Sequence, residues 1–159
     1  MAFTFTTLKT AIQDNTETTF TNNLTRFILN SEERILKECQ LESFRRNSTG
    51  TTTEDIKFLS KPTDFLAPFS LSVVNDSSNE FLLYKQVSFL QDYTPNPTTD
   101  GIPKYYASWN DTSFLLAPTP NASLTAELHY FYRPTSISST ADGTSYLGTN
   151  AELALLYGS

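Results

Sequence analysis

The chain has 159 residues, with 17 acidic against 11 basic side chains, a formal net charge of -6 and 38% hydrophobic residues. That hydrophobic content, led by 12 Phe and 8 Tyr, favours a packed domain rich in sheet and excludes a disordered polyelectrolyte. The acidic balance argues against a surface that tracks a phosphate backbone, and Arg45-Arg46 is the one adjacent basic pair.

Leu8, Ala11 and Ile12 share one face of a short helix that follows Thr6-Thr7, and Asp14-Asn15-Thr16 is expected to break it. Phe20, Leu24, Phe27, Ile28, Ser31, Ile35 and Cys39 then recur at i, i+3/i+4 spacing, opposite Asn22, Arg26, Asn30, Glu33 and Lys37. This predicts an amphipathic helix of about five turns that ends near Phe44. Cys39 lies on its apolar stripe and is expected to be buried. Glu33 and Lys37 form an i, i+4 pair worth about 0.3 kcal/mol.

The pattern changes at Asn47-Ser48-Thr49-Gly50-Thr51, which reads as a linker or turn. Strands are expected at about 50–59, 69–74, 80–84, 104–108, 113–117 and 124–132. Asn75–Asn79 reads as a hairpin loop, and Lys61–Phe65 as a loop whose aromatic tucks back onto the sheet. Val87, Leu90 and Gln91 suggest one helical turn, and residues 94–101 a loop dense in breakers. In the last strand Leu124, Ala126, Leu128, Tyr130 and Tyr132 face one way; Thr125, Glu127, His129, Phe131 and Arg133 face the other, as in a half-covered antiparallel sheet. Residues 136–143 read as a loop closing on an Asp142-Gly143 turn. Thr149-Asn150-Ala151-Glu152 then caps a helix that carries Leu153, Leu155, Leu156 and Tyr157. So short a helix suggests a truncated reading frame. The expected fold is α+β: amphipathic N-terminal helices over 1–46, a central antiparallel sheet or sandwich over 47–135, and a loop with the start of a C-terminal helix over 136–159.

Residues able to carry chemistry are sparse. One Cys and one His leave no Cys/His metal cluster, and His129 reads as a surface or interface residue. Neither a Gly-x-Ser-x-Gly turn nor a glycine-rich phosphate loop is present, so a small hydrolase is a weak reading. Asp55, Asp64, Asp92 and Asp111 read as turn formers. Tyr105, Tyr106 and Trp109 could form a stacking platform for sugars or for a partner chain, although neighbouring strand residues face opposite ways and at least one of the two tyrosines should be core. No segment reaches the roughly 18 apolar residues of a membrane span, and the start lacks a signal-peptide pattern, so a cytoplasmic product is expected. The five Asn-x-Ser/Thr sequons are attributed to a chain rich in Asn, Ser and Thr.

Several segments, taken in order, resemble a known family. They are Asn30–Ile35, Pro62–Leu66, Pro103–Tyr106, Phe114–Pro120, Glu127–Pro134 and Thr149–Gly158. Together they are similar to the head-to-tail adaptor (connector) proteins of short-tailed phages, close to the SU10-like adaptors and distantly like the tubular tail protein A of T7-like phages. The resemblance implies a structural virion protein with no enzymatic activity and no cofactor. It implies a dodecameric ring of copies under the portal protein, which extends the DNA channel and gives tail or nozzle proteins a docking surface. DNA would be passing cargo only, with no membrane partner, and the protein would sit in the virion neck after assembly in the host cytoplasm. Relatives carry a longer C-terminal helical segment than this chain. On this reading the subunit interface is expected at Phe20, Leu24, Phe27, Ile28 and Ile35 of the long helix and at Leu153, Leu156 and Tyr157 of the terminal one. The alternative is a non-enzymatic β-sandwich that binds carbohydrate or a partner protein through Tyr105, Tyr106 and Trp109 on a virion or cell surface.

Overall fold

The structure, a computed structural model, describes residues 2–17, 19–96, 98–139 and 143–158. The chain forms two compact units, one from Met1–Glu42 with Arg133–Ser159 and the other from Ser43–Tyr132. The class is α+β, as expected.

The first unit is helical. α1 spans Phe5–Thr16 and opens on a capping box in which Thr4 and Thr7 satisfy each other's backbone amides. Asp14-Asn15-Thr16 does not break it. Thr16 Oγ1 donates to the Ile12 carbonyl (2.8 Å), and the helix stops at Glu17, which adopts the left-handed conformation (φ 52°). α2 spans Leu24–Glu38, shorter at both ends than the apolar spacing suggests. Phe20 stays outside it, because Gln13 Nε2 of α1 donates to the Phe20 carbonyl (2.9 Å) and Asn23 turns left-handed (φ 67°). At the other end Cys39 is extended (φ -112°) and exposed, not buried. α4 (Tyr146–Asn150) and α5 (Glu152–Gly158) complete the unit, and α5 packs against α1, α2 and α4. Leu8, Ile12, Leu24, Ile28, Leu36, Ile137, Leu147 and Leu155 are buried here, each side chain contributing roughly 2 kcal/mol. Two glycines permit the close packing. A Cβ on Gly148 would lie 2.8 Å from Ile137 Cδ1 and 2.9 Å from the Phe3 carbonyl oxygen, and one on Gly158 would lie 2.5 Å from Ser31 Oγ. Asp142 of the expected Asp142-Gly143 turn lies outside the described residues.

The second unit holds β1 (Arg45–Thr51), β2 (Phe58–Ser60), β3 (Phe65–Asn75), β4 (Ser78–Tyr84), α3 (Val87–Tyr93), β5 (Asp100–Gly101), β6 (Tyr105–Ser108), β7 (Ser113–Ala117), β8 (Thr119–Pro120) and β9 (Thr125–Tyr132). Seven strands form one sheet in the order β1-β9-β3-β4-β6-β7-β2, and β5 pairs with β8 beside it. The sheet is mixed rather than wholly antiparallel. β4 and β6 run parallel, and the connection between them contains α3, which is the ordinary way to return a chain to a parallel neighbour. The strand expected over 50–59 is in fact two, β1 and β2, divided by a turn with a Thr53–Ile56 bridge and Asp55 at φ 60°. The supposed linker 47–51 belongs to β1. It is paired along its whole length with β9, from Arg45 opposite Phe131 to Thr51 opposite Thr125, so tertiary pairing overrides a weak local propensity. The expected hairpin loop shrinks to Asp76-Ser77, both at positive φ (46° and 69°), between the paired Asn75 and Ser78.

One face of the sheet makes the core. Leu59, Leu71, Val73, Leu82, Tyr106, Phe114, Leu116, Ala126, Leu128 and Tyr130 form a single buried cluster, and Phe65 tucks onto it against Phe114 and Tyr130. Leu59 of β2 lines one cleft with Ala126 and Leu128 of β9, although four strands separate β2 from β9 in the order. The sheet is therefore curled around its own core. α3 covers part of the other face, packing Leu90 and Val87 on Tyr105, Ala107, Leu115 and Ala117.

Candidate functional site

In the helical unit the anchor of α2 is Glu32, which is buried. Its Oε1 accepts from the Ile137 amide (2.9 Å) and its Oε2 from Ser136 Oγ (2.5 Å), which ties α2 to the returning chain. The neighbouring Glu33 accepts from Arg133 Nη1 (2.5 Å) and Lys37 Nζ (3.3 Å), so the expected Glu33–Lys37 pair is formed and extended. These contacts fix which side of α2 faces out. Leu24 and Ile28 are wholly inside and Ile35 is half-buried. Phe27 is 43% exposed, on the side of Asn30 and Arg34, and Phe20 is exposed as well. On α5, Leu156 is half-buried, while Leu153 (65% exposed) and Tyr157 (73% exposed) lie one turn apart and point outward.

In the β unit the register shows which outer positions remain bare. Phe81 stands opposite Ser72, Leu83 beside Tyr105, and Ser72 and Ser70 opposite Glu127 and His129. α3 stops short of β4, so Phe81 (65% exposed) and Leu83 (59% exposed) are uncovered. Beside them Phe89, Tyr93 and Tyr105 pack as a triad with ring centroids 4.8–6.2 Å apart. Reasoning from the sequence missed this patch. A strand over 80–84 with four consecutive apolar residues, Phe81–Tyr84, was visible, but not that the outer face of β4 lacks a covering element.

The remaining outer face carries polar side chains bonded to one another and the exposed ring of Phe69. Asn47 Nδ2 donates to Glu127 Oε1 (2.6 Å), and Ser70 Oγ lies 3.1 Å from His129 Nδ1. Arg45 lies over the rings of Phe69 and Phe131, at 4.3 and 5.5 Å from their centroids. Its neighbour Arg46, on the opposite face, donates to Asp64 Oδ2 (2.6 Å) and stacks on Tyr132 (4.1 Å). The adjacent basic pair is thus divided between two faces and engaged on both. Tyr130 OH donates to the other oxygen of Asp64 (2.8 Å). Burial, then that bond, pushes the Tyr130 hydroxyl up to about 12. Burial, then the nearby Tyr84, does the same for Tyr106. Lys61 is lowered by burial against Phe65 and Phe114, while its ammonium donates to Ser108 Oγ and the Asn110 carbonyl (both 2.6 Å).

Tyr105, Tyr106 and Trp109 do not assemble into a platform. Tyr105 joins the outer triad, Tyr106 is buried in the core against Phe114, and Trp109 is exposed against Phe58. Among the described residues no group of three or more His, Cys, Asp or Glu could hold a metal ion. No described helix is long and apolar enough to cross a membrane.

What both units offer is exposed aromatic and aliphatic side chains on regular elements, the chemistry of protein contact. The profile of the SU10 adaptor protein family matches residues 3–159. The chain belongs to that family: it is a phage adaptor, a structural protein, and the family is not one of enzymes. Membership implies work alongside portal and tail proteins and a place in the virion neck. No curated protein matches the chain.

Proposed function

We propose that this adaptor acts as a ring, with copies of the chain packed side by side beneath the portal, extending the DNA channel and offering the tail a docking surface. The observation that carries the reading is the family match over nearly the whole chain, together with exposed apolar side chains on two different elements of the helical unit. A ring needs a heterologous contact, in which two unlike surfaces of one subunit meet on neighbouring copies. Phe20 and Phe27 with Ile35 on one side, and Leu153 and Tyr157 with Leu156 on the other, supply such a pair. Leu24 and Ile28 support it from inside the unit. The dodecameric number follows the family. The net charge of -6 suits a channel wall that lets DNA pass without gripping it.

The test is Phe27→Asp. Phe27 is largely outside the core, so the isolated chain should remain folded, with a thermal midpoint within a few degrees of the parent. Assembly should be lost, because a bare charge at a packed interface costs several kcal/mol. Native mass spectrometry reads both species. A variant that forms the same oligomer as the parent would remove α2 from the interface.

A further inference from the structure

α3 stands as a ridge on the outer face of the sheet, and its two flanks differ. On one flank the outer side of β4 presents Phe81 and Leu83, with Leu82 between them turned into the core. Phe89 and Tyr93 of α3 border them, so on the order of 400 Å² of apolar side chain lies bare, as much as the largest patch on most monomers. The ladder continues past Tyr84, where the Lys85 amide donates to the Tyr106 carbonyl (2.9 Å), and alternation puts Lys85 on the same outer side. Its ammonium lies 5.5 Å from the centre of the Phe89 ring.

The other flank is a hollow. Leu90, Pro95, Leu115 and Ala117 line it together with Gln91 and Thr119, and it holds about 260 Å³. That is below the roughly 300–1,000 Å³ of a small-molecule site and suits one or two inserted side chains. Its rim is acidic. Asp100 is paired with Thr119, and the Asp55 amide donates to the carbonyl of the next residue, Pro120 (2.9 Å). Lys57, the cation among the lining residues, lies over the Phe58 ring (5.6 Å).

Protruding side chains beside a cation on one flank complement an apolar hollow beside carboxylates on the other. Among the described residues Lys85, Asp55 and Asp100 make no ion pair within the chain. We propose that the β4 flank of one copy seats in the hollow of the next, with Phe81 and Leu83 inserted beside Pro95 and Lys85 turned towards Asp55 and Asp100. The occupant is a second copy because one chain carries both halves, matched in shape and in charge. α3 stands between the two halves, so a chain cannot fill its own hollow. A contact of unlike surfaces repeats head to tail, and closes into a ring when its rotation allows. The inference rests on the ring proposed above and adds the β unit to its subunit contact. The bare patch is about half of one partner's share of a standard interface, and the helical surfaces supply the rest.

Disulfide trapping tests the contact. The native cysteine, Cys39, is exposed and is replaced by Ser in both of two full-length chains, one carrying Leu83→Cys and the other Gln91→Cys. Under a mild oxidant an equal mixture should yield covalent dimers holding one chain of each kind, and neither chain alone should yield any. Dimers from Leu83→Cys alone would overturn the proposal in favour of like patches meeting. No cross-link in a mixture whose native mass spectrum shows the parent's oligomer would overturn it and leave the ring standing. No cross-link in a mixture that stays monomeric, as the parent does, would overturn both. Phe81→Ala gives a second reading. Phe81 is 65% exposed, so the thermal midpoint should hold. The concentration for half-assembly should rise about thirtyfold, as for truncation of a hot-spot ring. An unchanged concentration would overturn the proposal.

Discussion

Glu32 pins α2 through hydrogen bonds, beside the apolar contacts of Leu24, Ile28 and Leu36. A carboxylate in the core is tolerable only when its oxygens are bonded, and here the Ile137 amide and the Ser136 hydroxyl do so. Glu32→Ala leaves the buried amide unsatisfied, and the expected loss is about 3 kcal/mol, read as a lowered midpoint in chemical denaturation. The two raised tyrosines make a second prediction. Their neutral forms are favoured in the fold, so their contribution is complete below pH 10 and is lost as pH rises through about 12. Stability should fall across that window, followed by tyrosinate absorbance and sheet circular dichroism together. Neither Glu32 nor the Asp64–Tyr130 bond was visible in sequence. A Glu in an amphipathic helix reads as solvated until the partner more than a hundred positions away is placed beside it.

At the scale of elements, the periodicities identified α2, β4, β6, β7 and β9 and failed where long-range pairing decided the outcome. β1 is polar, contains Gly50, and is a strand only because β9 offers a full ladder. Asp14-Asn15-Thr16 carries turn chemistry yet forms the last turn of a helix, since Thr16 bonds back to Ile12. Phe27 and Ile28 both fit the spacing that starts at Leu24, and only the packing of α2 assigns Ile28 inside and Phe27 outside. The contact of the chain start with α4 rests on Gly148. Gly148→Ala must push aside Ile137 or the Phe3 carbonyl, and the expected cost is about 1–3 kcal/mol in equilibrium unfolding, against the gain that alanine ordinarily brings to a helix.

For the molecule as a whole, family membership was legible because the order of weak motifs is more specific than any one of them, and the profile match spans residues 3–159. The exposed apolar surfaces were half legible. Leu153 and Tyr157 could be read from a short apolar helix, while Phe81 and Leu83 required knowing that α3 stops short of β4. We propose above that copies of the chain form a ring on the portal. Negative-stain electron microscopy of the chain mixed with the portal protein of its own genome tests it most directly. Rings of this chain should cap one pole of each portal. Bare portals beside monomers of the chain would contradict it.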